Sequence, residues 1–558
     1  MLGAVSTLRE EVEQARLPLD IPDAMTGRAT RDALLKQLDD YVIPRLRSLD
    51  APLLAVVGGS TGAGKSTLVN SIVDAEVSRS GVLRPTTTTP VLVHHPQDAR
   101  WFADDRVLPT LSRITGAPTE GDGANALRLV PSSSLPPGMA LLDAPDIDSV
   151  VSANRALAAQ LLAAADLWLF VTTAARYADA VPWEFLRAAR DRGTTLSLVL
   201  NRVPEDAGRE VPAHLRQMLE TEGLPEAEVL VVPEVALADD LIPAPALAPV
   251  RAWLDDLAAD AQARAALVRR TLRGALASLP ARAAVVENAV VQQLSAAAEL
   301  RAEVDSAYAA AGQEVEAALR SGSLLRGEVL ARWHEVIGTG DAMRALESRV
   351  GWARDRLRSL LTGKPSDDGE LREAVENRVE AVVRAAAERA AERTARAWRE
   401  RLAGQALLAE GRGLDRASVE LQAKTEEEVR AWQGVVFDLV QAEGASKRAT
   451  ARLASLGVNG AGLTVMLAVF AHTGGLTGAE VVVAGGTSAL SQKVLEAIFG
   501  DQAVRALAAQ AREDLFARVE RLLREEAARF DALLDEAAPE AESFARLHGA
   551  VESIRRAA

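Results

Sequence analysis

The sequence predicts an α/β domain built on a mostly parallel sheet, joined to a long α-helical bundle or stalk. Two observations carry that expectation. Between residues 51 and about 235, short β-rich runs alternate with helical patterns, as strands laid side by side and covered by helices require. From about 251 to 452 the chain changes to long stretches rich in Ala, Glu, Arg and Leu. A chain of 558 residues is too long for one core and divides into roughly two to four units. Its 48% apolar and 25% charged residues are those of a folded protein.

In chain order, residues 1–50 read as two amphipathic helices that join the helical bundle. The first, MLGAVSTLREEVEQARLPLD, lacks the apolar core of a signal peptide. In the second, TRDALLKQLDDYVIPRLRSL, apolar positions recur at three and four. The domain 51–250 holds the strand runs LLAVV, PVLVHH, MALLD, LWLFVTT, TLSLVLN and EVLVVPE, and the loop LIPAPALAP at 241–249 closes it. In the stalk, 251–452, Leu371, Val375, Val379, Val382 and Ala386 form one apolar stripe, the pattern of an elongated bundle or coiled coil. LTGKPSDDGE at 361–370 breaks that run as a turn between antiparallel helices. An apolar hairpin, 453–492, follows, and helices over 493–558 return along the bundle. No internal repeat is present.

The strongest local signal is LLAVVGGSTGAGKSTLVNSIV at 53–73. Gly59, Gly64, Lys65 and Ser66 fit G-x-x-x-x-G-K-[ST], with an apolar strand before and a helix after, which is the context a P-loop needs. Its glycines let the backbone wrap a phosphate, so that N–H groups and a helix N-terminus face the anion. The nucleotide-binding set is Gly59, Ser60, Thr61, Gly62, Ala63, Gly64, Lys65, Ser66 and Thr67 in this stretch, with Asn201 and Arg202 further along the chain. Lys65 neutralises the β/γ oxygens and Ser66 ligates Mg²⁺.

A second acidic group belongs to that Mg²⁺ shell, and Asp143 ends the strand MALLD in the right place. An ABC-type ATPase would follow it with a glutamate and carry an LSGGQ-like signature; the chain has Ala144 and no such signature. A GTPase would place glycine at the position of Asp146.

Between these motifs lies GVLRPTTTTPVLVHH. The GGxxxxGKS loop, the threonines before x-Pro, the D-x-P at Asp143 and the long helices together resemble the dynamin-like GTPases, in particular bacterial members. The resemblance implies GTP with Mg²⁺ as the bound pair and makes Thr87 the second metal ligand, with Thr86 and Thr88 as one-residue alternatives. Catalytic work then falls to Lys65, Thr87 and Asp143, and metal binding to Ser66, Thr87 and Asp143. It also implies self-association through the nucleotide domain and helices, or with a related paralogue.

The chain departs from the family pattern in three places. Thr61 and Gly62 stand where the family carries Gln-Ser, and Asp146 where it carries glycine, so that the Asp146 carboxylate has to point away from a γ-phosphate or be screened by Mg²⁺. The base-reading N/T-K-x-D becomes Asn201-Arg202-Val203-Pro204, which removes the carboxylate that reads guanine and leaves Arg202 to stack on a base. The expected function is nucleoside triphosphate hydrolysis, of GTP by resemblance, coupled to membrane binding or remodelling. An ATP-hydrolysing P-loop protein and a nucleotide-binding scaffold with little hydrolysis are the alternatives.

The membrane expectation rests on residues 453–492, whose one formal charge is Glu480. Lys447, Arg448 and Arg452 precede the stretch and Lys493 follows it. Two apolar arms, 453–472 and 476–492, meet at His472-Thr473-Gly474-Gly475; they are about the length that just spans a bilayer or inserts shallowly. By resemblance this is the membrane-contacting paddle; a buried helical hairpin in the bundle is the alternative. The net charge of −15 excludes a nucleic-acid binder, because phosphate backbones demand clustered positive charge. With no cysteine the chain suits a reducing cytosol, at the inner face of the cell membrane or integral to it through 453–492. His94 and His95 point to opposite faces of a strand and make a poor metal site. Trp168, Trp183 and Tyr177 read as packing residues.

Overall fold

The computed structural model describes residues 1–78, 89–104, 106–116, 126–149, 151–320, 368–409, 412–444 and 501–557. It divides into two compact units, bounded elsewhere than the expected domains. The first comprises Met1–Leu17, Pro22–Gln292 and Pro539–Ala558; the second comprises Pro18–Ile21 and Gln293–Ala538. Most of the residues expected to join the bundle from the N-terminus, and the last twenty residues, therefore lie in the first unit.

The first unit is built on an eight-stranded sheet. Its strands are β1 (Leu53–Gly59), β2 (Val91–His94), β3 (Ser112–Ile114), β4 (Ala126–Pro131), β5 (Met139–Asp143), β6 (Leu167–Thr173), β7 (Thr195–Val203) and β8 (Glu228–Pro233). They lie in the order β3-β4-β2-β5-β1-β6-β7-β8. Every pairing is parallel except β2 with β5. β1, β5 and β6 are buried along their whole length, which is why each reads as a continuous apolar run. β3 and β4 were not expected. β3 is three residues long, and β4 is broken as a hydrophobic run by Arg128, which is nonetheless buried and donates to the Gly116 carbonyl.

Helices of the first unit include α1 (Leu2–Gln14), α2 (Ala24–Gln37), α3 (Ile43–Arg47) and α4 (Lys65–Val73). The stretch expected as one helix after residue 30 is a relay of α2, a π-helical turn at Leu38–Val42 and α3. Pro44 explains the change of register, since it has no N–H to donate to the carbonyl four residues back and its ring crowds that carbonyl. The turn delivers Arg45 to a buried site, where it pairs with the fully buried Asp166 and donates to the Ala51 and Pro52 carbonyls. Residues 244–249, expected as loop, are the start of the helix Ala244–Ala259; Pro245 sits in its first turn, where no N–H is needed, and Pro249 is carried inside. The C-terminal helix Ser543–Ala557 packs against α1, with Arg546 paired to Glu11.

The second unit is helical. It takes residues from Ala261–Arg320 and the helices Asp368–Arg399, Leu402–Leu408, Leu421–Gly444 and Asp501–Ala537. Its core gathers Trp398, Trp432 and Phe530, all completely buried. Each indole finds a backbone acceptor: Trp398 donates to the Leu300 carbonyl at 3.1 Å and Trp432 to that of Ala511 at 2.7 Å. The buried stripe of Asp368–Arg399 is Val375, Val379, Val383 and Ala386, so Val383 takes the inward place expected of Val382, which is only partly buried. Leu19 is drawn into this unit by Gln293, whose side-chain amide accepts from the Leu19 N–H and donates to its carbonyl, both at 2.8 Å. Of the turn 361–370, only the residues from Asp368 are described, and they begin a helix. The hairpin 453–492 lies outside the described residues. Among those described, no helix is long and apolar enough to cross a membrane.

Trp398 meets Phe530 edge to face at a centroid distance of 5.2 Å, and a Cβ on Gly404 would stand 2.3 Å from the Trp398 carbonyl oxygen, so backbone and ring are both wedged in place. Trp398→Ala is expected to cost about 3–5 kcal/mol. An unchanged denaturant midpoint for the helical unit would show that the site is not its core.

Candidate functional site

The site forms where β1 ends. Gly59 has φ 150° and packs so closely on β6 that a Cβ would lie 2.1 Å from the Val171 carbonyl oxygen. Only glycine allows that approach. Ser60 to Gly64 then turn back, Gly62 at φ 77° and Gly64 at φ 91°, and Lys65 opens α4. Nine expected residues, Gly59 to Thr67, therefore lie on one strand-loop-helix unit. The Ser60 carbonyl accepts from the Ala63 N–H at 3.1 Å and from Lys65 Nζ at 3.1 Å, which closes the loop on its own lysine.

Asp143 ends β5, beside β1, and is completely buried. Its Oδ2 accepts two hydroxyls at 2.6 Å, from Ser66 and from Ser78. Its Oδ1 is buried and takes no hydrogen bond from the protein. Burial pushes the Asp143 carboxyl up, and Asp146 adds to the rise; the two hydroxyls and the charge of Lys65 oppose it without cancelling it. An unpartnered carboxylate oxygen next to a serine hydroxyl is a donor set of hard oxygens, and it fits Mg²⁺. Among the described residues no group of three or more His, Cys, Asp or Glu could hold a metal. A P-loop Mg²⁺ needs none, because phosphate oxygens and water complete its shell.

Asn201, at the end of β7, is buried and braces the loop from the other side. Its Nδ2 donates to the Ala63 carbonyl at 2.9 Å, and a Cβ on Gly64 would lie 2.5 Å from that nitrogen. The Arg202 N–H donates to Asn201 Oδ1 at 3.0 Å, and Arg202 takes the left-handed φ of 52° at a bulge between β7 and β8. Arg202 is exposed beside the loop. Thr86, Thr87 and Thr88 lie outside the described residues.

Besides Ser78, two participants, Asp148 and Arg176, were not anticipated, and Asp146 has a definite partner. Asp146, expected either to point away from a γ-phosphate or to be screened by Mg²⁺, is ion-paired with Lys65. Asp148 Oδ1 accepts from the Thr61 N–H at 2.6 Å and from the Thr61 hydroxyl at 2.7 Å. Arg176 joins Asp148 Oδ2 at 3.0 Å to the Thr61 carbonyl at 2.8 Å and also holds Asp179. Part-burial pushes Asp148 up, but the Thr61 and Arg176 hydrogen bonds outweigh it and hold the carboxyl below its ordinary value. The repeated acid in DAPDID was the available signal for Asp148; nothing local marks Ser78 or Arg176. Trp168 and Trp183 are buried, so the packing reading of these two stands, and His94 stacks on Phe102. Tyr177 is different: its hydroxyl meets His214 Nδ1 at 2.8 Å at an exposed position.

Residues 54–203 match the sequence model of the Dynamin family. No curated protein matches the sequence. Among solved structures, the chain is similar to two from a bacterial dynamin pair, described as oligomerised and as sensing and tethering membranes over long range. The first shares 11% identity at a TM-score of 0.41 over 97% of each chain; the second shares 10% at 0.37 over 96% of each. A third, the bacterial dynamin GTPase LeoA from ETEC, shares 12% identity at a TM-score of 0.24 over 100% of this chain and 97% of its own.

Because the Asp148 carboxyl is held below its ordinary value of 3.8, its contribution to stability is complete above that pH and is lost as pH falls through the lowered value. Asp148→Asn is therefore expected to be less stable than the parent at about pH 6 and to lose that deficit progressively at a second pH well below the ordinary value, as the lowered pKa is passed. Denaturant midpoints at the two pH values check it; a deficit of equal size at both would refute the assignment.

Proposed function

We propose, on the premise that residues 54–203 form a dynamin-family GTPase domain, that this chain hydrolyses GTP with Mg²⁺ and couples nucleotide state to membrane binding or remodelling. The observation that carries the reading is the buried Asp143, aligned on Ser66 at the end of a phosphate-gripping loop. Backbone N–H groups of Ser60 to Ser66 bind the phosphates, Lys65 balances their charge, and Asn201 keeps the loop from opening toward β7. Ser66 and Asp143 would hold the metal. A Mg²⁺ held there would supply positive charge against the charge that builds on the phosphate oxygens during cleavage. Thr87, by its place in GVLRPTTTTPVLVHH, is proposed to order the attacking water and complete the metal shell. Hydrolysis of ATP is the second reading, favoured by Pro204 at the position of the base-reading aspartate.

Attachment to lipid is assigned to residues 453–492, whose two apolar arms carry one formal charge. Self-association through the nucleotide domain and helices, and a place at the inner face of the cell membrane, follow from the same reading.

Two outcomes test the proposal. Lys65→Ala removes the cation aimed at the phosphates and is expected to lower GTP turnover by at least ~100-fold with the circular dichroism unchanged; undiminished turnover would sink the P-loop assignment. Two buried apolar arms hold a protein to lipid far more firmly than one acyl chain, so the full chain is expected to sediment with anionic vesicles in high salt. A variant lacking 453–492 is expected to stay in the supernatant and still bind nucleotide. Loss of folding on deletion, with the full chain floating free of vesicles, would assign the segment to the helical core instead.

A further inference from the structure

We propose that Asp146 sets this site's preference between nucleoside diphosphates and triphosphates by competing with the terminal phosphate for Lys65. The proposal deepens the nucleotide reading above and rests on it. Lys65 is buried, with 5% of its side chain exposed, and its ammonium is already engaged by the Ser60 carbonyl and by the Asp146 carboxylate. An ammonium carries three N–H donors and no more. A P-loop lysine reaches both β- and γ-phosphate oxygens. With a diphosphate, one remaining donor serves the β-phosphate while Asp146 keeps its place. A triphosphate brings a second anionic group against the same ammonium, and the like charge of Asp146 has to leave.

The rest of the acidic loop is built to stay. Ala144 N–H donates to the Val57 carbonyl and Ile147 N–H to that of Gly59, which sew the segment to β1 on either side of Asp146. Asp148 is held by Thr61 and Arg176 together. Among the described residues Asp146 has one basic partner, and it is partly exposed, so its side chain is the member of the loop that can swing out without unmaking these bonds. The carboxylate therefore stands as an internal substitute for a phosphate oxygen on the lysine, at a position where a glycine would leave the lysine free for the nucleotide.

The test is equilibrium binding, with Mg²⁺, of fluorescent GDP and a non-hydrolysable fluorescent GTP analogue, and of the adenine pair, to the full chain and to Asp146→Asn and Asp146→Gly. Both variants are expected to bind the triphosphate about tenfold or more tightly than the parent and the diphosphate within about threefold of it. Asparagine keeps the shape, so agreement between the two variants separates charge from loop flexibility. Equal changes for both nucleotides, no change, or weaker triphosphate binding would overturn the proposal while leaving the nucleotide site in place. Should the parent and both variants bind none of the four nucleotides, the nucleotide reading fails and this proposal with it.

Discussion

One fully buried carboxylate organises the first unit. Asp143 is driven to the end of β5 by a strand whose other residues are all apolar and buried, so its position is set by the sheet and not by the loop that follows. Placing an acid there costs free energy, as its raised pKa shows, and two serine hydroxyls on one oxygen return only part of it. Ser66 comes from α4 and Ser78 from the chain after that helix. The phosphate loop, its helix and the segment beyond thus converge on a carboxylate whose second oxygen is left without a protein partner. A buried carboxylate oxygen of that kind is uncommon and marks the position as one that packing alone does not account for.

Gly59 makes that convergence possible from the other side. Its contact with the Val171 carbonyl sets the loop down against β6, and Asn201 then clamps the loop to β7 through the Ala63 carbonyl. Strands β5, β1, β6 and β7 are consecutive in the sheet, so four parallel strands present their C-terminal ends to one small volume. Parallel α/β sheets concentrate their ligand sites at such ends because loops there leave the strands in a common direction.

What could be read in advance followed from burial and spacing. The strands buried on both faces announced themselves as unbroken apolar runs, and the loop glycines by their fixed intervals before Lys65. β4 was hidden by Arg128, a charge that the fold buries by giving it a carbonyl, and the helix at Ala244 by prolines that sit where a helix tolerates them. Val383 displaced Val382 because a stripe read at three or four residues leaves adjacent valines equally eligible until a partner helix selects one. Ser78 and Arg176 were invisible for a plainer reason: each acts through a residue distant in sequence, and a serine or arginine outside a motif carries no mark of that.

Two of the departures from the dynamin-like pattern, Thr61 and Asp146, look like separate changes in sequence and lie together in space. Thr61 stands where the family carries glutamine, and it offers Asp148 a backbone N–H and a hydroxyl from a short side chain. A longer amide there would have no hydroxyl to give, and Asp148, with Arg176 behind it, would lose one of its donors. Two residues earlier in the same loop, Asp146 replaces glycine and takes the lysine. Thr61 pairs with Asp148 and Lys65 with Asp146, so two donors of the loop after β1 are covered by carboxylates carried on the segment that follows Asp143. The Thr61 N–H and the Lys65 ammonium are in this way each met by a carboxylate within the chain. The constraint that results is electrostatic, and it falls on Lys65, the one lysine of the loop motif.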